Sequence, residues 1–252
     1  MKTTTYTLRG AKQSARAVLV ADFHDGDPAP LVESIRALAP DLILVAGDVV
    51  HHADRAERGL ALLRALITVA PVFCSLGNHE CRCGEAIRAR IRKTGARLLD
   101  NAYATFGGLV IGGLSSGYEG KKQGRLKRTP EPDAAWLSDF CAEKGTHVLM
   151  SHHPEYYPRV LCEKPIELIL SGHAHGGQWC VLDRGVFAPG QGVLPRFTHG
   201  AYRGRRRVKS PVTLSAEAPT LVVSRGLSNE IGIPRIGNPE ELVVLDFLKE
   251  ER

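Results

Sequence analysis

The chain has 252 residues, 43% hydrophobic and 24% charged, which is enough apolar material for a sizeable core in one globular domain spanning residues 1–252. No stretch approaches the ~18 uninterrupted apolar residues of a membrane span, and the polar segment from Met1 to Ser14 lacks the apolar centre of a signal peptide. The formal net charge of +6 suits a small anionic substrate, a nucleic acid or a lipid surface without choosing among them.

In chain order, the apolar run Arg16 to Ala21 predicts a strand and leads into Asp22-Phe23-His24. Leu31, Ile35 and Leu38 share one face of a helix bracketed by prolines. The run Asp41 to Ala46 predicts a second strand ending in Gly47-Asp48, and Leu60, Leu63, Leu66 and Ile67 mark a second helix. Pro71 to Leu76 predicts a third strand, ending in Gly77-Asn78-His79-Glu80, and a helix over Gly84 to Thr94 stops at Gly95. Tyr103 to Phe106 and Gly108 to Leu114 read as hairpin strands, and Glu131 to Glu143 as a helix with Trp136, Leu137 and Phe140 inward. Thr146 to Met150 predicts a strand leading through Ser151 to His152-His153, and Ile166 to Leu170 one leading to Gly172-His173-Ala174-His175. Gln178 to Leu182, Val186 to Ala188, Thr220 to Ser224 and Leu242 to Phe247 are further strand-like segments. Short runs rich in Val, Ile and Leu, alternating with helices, predict an α/β fold with largely parallel pairing.

Five strand-like runs thus end in metal-ligand chemistry, and in α/β sheets ligands bind at the carboxyl ends of strands. In extended geometry side chains two apart point the same way, so Asp22 with His24, and His173 with His175, can each face one metal region. Asp48 can bridge two cations, and the amide of Asn78 adds a ligand without charge. Imidazoles suit zinc, iron, manganese, nickel and cobalt more than magnesium or calcium. Two such metals can clamp phosphate oxygens during in-line attack.

In these clusters and their order the chain resembles the calcineurin-like metallophosphoesterases: Asp-x-His, Gly-Asp, Gly-Asn-His-Asp/Glu, His, Gly-His-x-His. The longer form Gly172-His173-Ala174-His175-Gly176-Gly177-Gln178, with Leu221 to Leu227, Pro234-Arg235 and Pro239-Glu240-Glu241, is similar to the subgroup of bacterial phosphodiesterases and lipid-sugar pyrophosphatases. The resemblance implies a β-sandwich of two mixed sheets flanked by helices, four layers in the order αββα. It implies a first metal on Asp22, His24, Asp48 and His175 and a second on Asp48, Asn78, His152 and His173. The two ions would be divalent or trivalent, drawn from Mn, Fe, Zn, Ni or Co, with a bridging hydroxide attacking a phosphodiester or pyrophosphate bond. His79 would stabilise the phosphate or protonate the leaving oxygen, oriented by Glu80. Asp25-Gly26-Asp27 makes the loop after His24 more acidic than the family pattern, and the membrane anchor of many subgroup members is not seen here.

Other readings stand beside these. A phosphomonoesterase fits the same ligands, and a non-catalytic protein-binding scaffold could keep the fold. His152 is preferred to His153 as the ligand, because it directly follows the small Ser151. His51 and His52 line either the cleft or a solvated loop, and His147 and His199 read as structural. Cys81 and Cys83 lack the two-residue spacer of common zinc motifs, and the six cysteines read as reduced thiols of a cytoplasmic protein. Two segments are basic: Lys121, Lys122, Arg125, Lys127 and Arg128, then Arg203, Arg205, Arg206, Arg207 and Lys209. Solvated surface explains both. The second, with Arg205, Arg206 and Arg207, could also overhang the metals and steer an anionic substrate. Nucleic acid is not indicated by any motif, and peripheral membrane contact is compatible with the charge.

Overall fold

The computed structural model describes residues 1–118, 128–228 and 234–250. Lys121, Lys122, Arg125 and Lys127 of the first basic segment lie outside them. One mixed sheet contains β1 (Lys2–Ala11), β2 (Ala15–Val20), β3 (Leu42–Ala46), β4 (Val72–Ser75), β5 (Arg97–Leu98), β16 (Val212–Thr213) and β18 (Glu241–Lys249), in the order β16-β1-β18-β2-β3-β4-β5. The other contains β6 (Ala102–Phe106), β7 (Leu109–Leu114), β8 (Thr146–Ser151), β9 (Leu168–Ser171), β14 (Gly200–Arg203), β15 (Arg206–Val208) and β17 (Thr220–Val223), in the order β15-β14-β17-β9-β8-β7-β6. Strands β2 to β5 run parallel to one another, as do β7, β8, β9 and β17. Two small hairpins, β10 (Cys180–Val181) with β11 (Arg184–Gly185) and β12 (Phe187–Ala188) with β13 (Gly192–Val193), follow β9.

The apolar runs explain the layering. A strand turns successive side chains to opposite faces, so an unbroken apolar strand must be covered twice. Ala17, Leu19, Leu42 and Leu44 of the first sheet meet Val148, Met150, Leu168 and Leu170 of the second in one core. Their neighbours Val18, Val20, Ile43 and Val45 pack outward against α1 (Pro28–Ala37), α2 (Glu57–Leu66) and α4 (Glu85–Arg92). Leu149, Ile169, Leu221 and Val223 pack outward against α5 (Leu137–Ala142) and Tyr156, Tyr157 and Leu161. The fold is therefore α/β, two mixed sheets face to face with helices outside. Each fully buried leucine or isoleucine contributes about 1.5–3 kcal/mol. No helix among the described residues is long and apolar enough to cross a membrane.

One local expectation is corrected, and two elements were not anticipated. The helix expected over residues 131–143 begins only at Leu137. Pro132 disfavours helix before it, and the Asp133 carboxylate accepts the Ala135 N–H (3.2 Å) in a competing turn. The polar N-terminus forms β1, which pairs with β18 from Lys2↔Glu241 to Ala11↔Lys249. A helix, α3 (Asn78–Cys83), begins inside the third cluster, at Asn78.

Candidate metal centre

All five clusters sit where parallel strands end, and the two sheets join there: His152 Nδ1 lies 2.8 Å from the Ala46 carbonyl across the sandwich. The residues after the strands are not extended, which corrects the argument from two-residue spacing. Asp22, His24, Asp48, His173 and His175 have φ of 52°, 46°, 52°, 63° and 45°. Left-handed backbone is uncommon for side chains other than glycine, with Asp and His among the better tolerated, and such residues cluster at functional sites. Backbone bonds hold these turns: Asp22 N–H donates to the Gly47 carbonyl (3.2 Å) and His24 N–H to the Asp48 carbonyl (3.0 Å). His173 N–H donates to both Asp22 carboxylate oxygens at 3.0 Å. The approach needs glycines. A Cβ at Gly77 would lie 2.1 Å from Asp48 Oδ1, and one at Gly172 2.5 Å from Asp22 Oδ2.

Two groups of donors result. Asp22, His24 and His175 bring ligand atoms within 4.8 Å of one another, and Asp48, His152 and His173 do the same. His24 Nε2 is 3.9 Å from Asp22 Oδ1 and 3.8 Å from Asp48 Oδ2, so the groups adjoin. His175 Nε2 is 3.7 Å from Asp22 Oδ1, and His152 Nε2 is 3.0 Å from Asp48 Oδ2. All six residues are buried, as is Asn78. His24 Nε2 and Asn78 Oδ1 are buried with no hydrogen-bond partner among the described residues. An orphaned buried polar atom costs about 1–3 kcal/mol, so the donor set fits cations, which these atoms would ligate.

Supporting residues fix tautomers and orientation. His152 Nδ1–H donates to the Ala46 carbonyl, leaving the Nε2 lone pair toward Asp48. His79 Nδ1 is 2.8 Å from the His51 carbonyl, and its Nε2 stands 3.9 Å from Asp48 Oδ2. The orienting partner of His79 is thus the His51 carbonyl rather than Glu80. Glu80 instead accepts N–H groups from Asp48 (3.0 Å), Val50 (2.9 Å) and Gly77 (2.9 Å), tying the second and third clusters together. Asn238 Nδ2 holds the His175 (2.7 Å) and Gln178 (3.1 Å) carbonyls.

Electrostatics follow burial. Desolvation pushes His24 and His173 well below ordinary histidine and lowers His175, leaving neutral rings with lone pairs, and burial lowers His79 as well. Burial also opposes charge on His152, but Asp48 and Asp22 override it and raise it to about 10. Burial would raise Asp48, yet the surrounding imidazoles, His152 first, hold it well below the usual carboxylate range. The field that attracts a proton to His152 is equally available to a metal cation.

Other candidates are placed as follows. His153 reaches Ser116 Oγ (2.7 Å) and stands 3.5 Å from Glu155 Oε1, and with Glu155 and His173 it forms a further group of donors within 4.8 Å beside the second set. His51 stands at the rim, its Nδ1 3.3 Å from His24 Nδ1 and its ring centroid 4.5 Å from that of His79. Asp25 is structural, accepting from His51 N–H and Gly59 N–H at 2.9 Å each, and Asp27 caps α1. His147 pairs with Glu167 (3.0 Å) and His199 with Asp183 (2.8 Å), and neither belongs to the two donor groups. The six cysteines are free thiols. Arg205 and Arg206 are not brought to the rim. Gly200 pairs with Val223, which pairs with Ser171 beside the ligands, whereas Arg203 pairs with Thr220 at the opposite end of β17, about 10 Å away. Arg207 pairs with Asp183. Glu155 and Asn238 were not singled out, since each reaches the site through a fold rather than a motif. Asn238 lies between Arg235 and Pro239 of the tail pattern, which was its one signal.

The family model for calcineurin-like phosphoesterases matches residues 15–177, β2 to the His173-His175 turn. The chain belongs to this family. Within it, the chain is 27% identical over 186 residues to an uncharacterized metallophosphoesterase of Helicobacter pylori, covering 71% of this chain and 49% of that protein. It is 25% identical over 236 residues to the uncharacterized protein YpbG of Bacillus subtilis, covering 89% and 86%. The chain spans about half the length of the Helicobacter and Campylobacter metallophosphoesterases it matches. Among solved structures it is similar to TT1561 of Thermus thermophilus, with a TM-score of 0.45 and 13% identity over 77% of this chain and 97% of that one.

Proposed function

We propose that this calcineurin-like phosphoesterase hydrolyses a phosphodiester or pyrophosphate bond with two cations, one held by Asp22, His24, Asp48 and His175 and one by Asp48, Asn78, His152 and His173. The observation that carries the reading is the convergence of two donor groups, Asp22, His24 and His175 and Asp48, His152 and His173, at one rim, with His24 Nε2 and Asn78 Oδ1 buried and unpartnered among the described residues. Asp48 belongs to both sets because His24 Nε2 and His152 Nε2 approach the same oxygen, Oδ2. Bound cations would offset negative charge on phosphoryl oxygens and make water at the site more acidic.

His79 works from outside that set. With Nδ1–H given to the His51 carbonyl, the doubly protonated ring has its Nε2–H free to hydrogen-bond the phosphate or to pass that proton to the leaving oxygen, which leaves the ring neutral. Burial lowers its affinity for a proton, so the protonated ring is a stronger acid than free histidine. The preference for a diester or anhydride over a monoester is supported by the motif Gly172 to Gln178 and the tail Leu221 to Leu227. The test is a hydrolysis panel of metal-reconstituted protein on nitrophenyl mono- and diesters, cyclic nucleotides and nucleotide-sugar pyrophosphates. Faster turnover of diesters or pyrophosphates is expected. A monoester preference overturns the bond class, and inertness on every substrate favours a scaffold.

A further inference from the structure

We propose that the paired hairpins β10–β11 and β12–β13 form an apolar wedge that docks the protein on an anionic lipid surface. Leu182 is 94% exposed, Leu194 75%, Val193 71%, Val181 59% and Trp179 42%. Scattered exposed apolar side chains are ordinary, but these are contiguous. Val181 pairs with Arg184 across the first hairpin, the Val186 N–H donates to the Trp179 carbonyl (2.8 Å), and the Leu194 N–H donates to the Val186 carbonyl (2.9 Å). Leu182, Leu194 and Pro195 border one cavity of about 530 Å³.

The turn chemistry is a second, independent sign. Leu182 and Asp183 have φ of 48° and 61°, and Leu194 has 52°. A two-residue hairpin turn with both φ positive favours Asn, Asp or Gly, because a larger side chain is strained there. Leucine at that tip (Leu182) and at the left-handed position directly after β13 (Leu194), both in solvent, contributes neither to turn stability nor to the core.

Charge selects the occupant. Arg184, Arg196, Arg205 and Arg207 line the same cavity, with Asp183 the one acid in that lining. Asp183 is engaged by His199, Arg207 and Arg225. Guanidinium groups therefore collar the apolar tips. Projecting leucines and valines with a tryptophan beside them and cations around them match the acyl and headgroup depths of an anionic bilayer. Arg205, remote from the metal-ligand rim, finds its role here. The inference stands apart from the proposed hydrolytic reaction.

The test is co-sedimentation of the full chain with phosphatidylglycerol–phosphatidylcholine vesicles, against pure phosphatidylcholine. The parent should bind the anionic vesicles, weaken with added salt, and shift Trp179 emission to the blue in a Trp136→Phe background. The double variant Leu182→Asn/Leu194→Asn keeps the charge and puts a left-handed-tolerant residue at each of the two positive-φ positions, so it should fold. It should lose roughly 100-fold in partitioning, the effect of exposing two leucine side chains. Arg184→Ser/Arg196→Ser/Arg205→Ser should abolish the preference for anionic lipid. Failure of the parent to bind, or undiminished binding by the leucine variant, overturns the proposal. So does concentration-dependent dimerisation that the leucine variant removes while vesicles are ignored, which would assign the face to a second copy of the chain.

Discussion

His79 differs from His24, His152, His173 and His175 in one respect that sets its role. Its Nε2 approaches Asp48 Oδ2 at 3.9 Å, but it belongs to neither of the ligand groups built on Asp22 and Asp48. His79→Ala should therefore retain bound metal and lose about 10²–10⁴ in turnover, the usual range for a positioned acid or base. The loss should shrink for nitrophenyl esters, whose leaving oxygen needs little protonation, so kcat for good and poor leaving groups is the measurement. An equal loss for both assigns His79 to phosphate positioning. At this scale the sequence was most legible where residue type itself carries the chemistry, as at Asp22, His24, Asp48 and His173. It misled at Glu80, whose carboxylate folds back onto the Asp48, Val50 and Gly77 amides. Side-chain direction depends on the helix that starts at Asn78, and no spacing announces that start.

Among the elements, β8 and β9 carry the second group of ligands, and an ion pair joins them at the end away from it. His147, on β8, meets Glu167, which directly precedes β9 (Nδ1 to Oε2, 3.0 Å). The hydrogen bond to Glu167 raises His147 above its ordinary value. Burial opposes charge on Glu167, but His147 hydrogen bonds hold it below its own ordinary value. For His147, a raised folded pKa means stabilisation complete below the unfolded value of about 6.5 and lost as pH rises through the folded one. For Glu167, a depressed one means stabilisation present above about 4.3 and lost as pH falls through the folded value. The pair thus contributes most between about pH 4.3 and 6.5. His147→Gln should cost about 1–2 kcal/mol in that window, with the deficit narrowing toward pH 9, read from urea unfolding at a series of pH values. A deficit independent of pH would make the contact one of packing alone. Strands buried on both faces, β2, β3, β4, β8 and β9, were legible because continuous Val, Ile and Leu runs leave few alternatives. The threonine-rich β1 was not, because only Tyr6, Leu8 and Ala11 of its side chains are buried and its pairing partner lies at the other end of the chain.

For the whole molecule, the function rests on two sheets whose parallel strands end at one rim, where buried donors collect faster than hydrogen bonds can satisfy them. The order of the clusters along the chain was enough to anticipate that rim and the two-sheet architecture. It was not enough to place Arg205 and Arg206, since where a hairpin tip points follows from strand register. The account turns on two cations sharing Asp48, so its most direct measurement is metal content by elemental analysis after reconstitution with manganese, parent beside Asp48→Asn. The parent should approach about two equivalents per chain. The variant, folded but without the shared charge, should fall short of the parent and lose most hydrolysis. A well-folded parent that saturates at one equivalent, or an Asp48→Asn variant that matches it in both metal and turnover, would contradict the shared site.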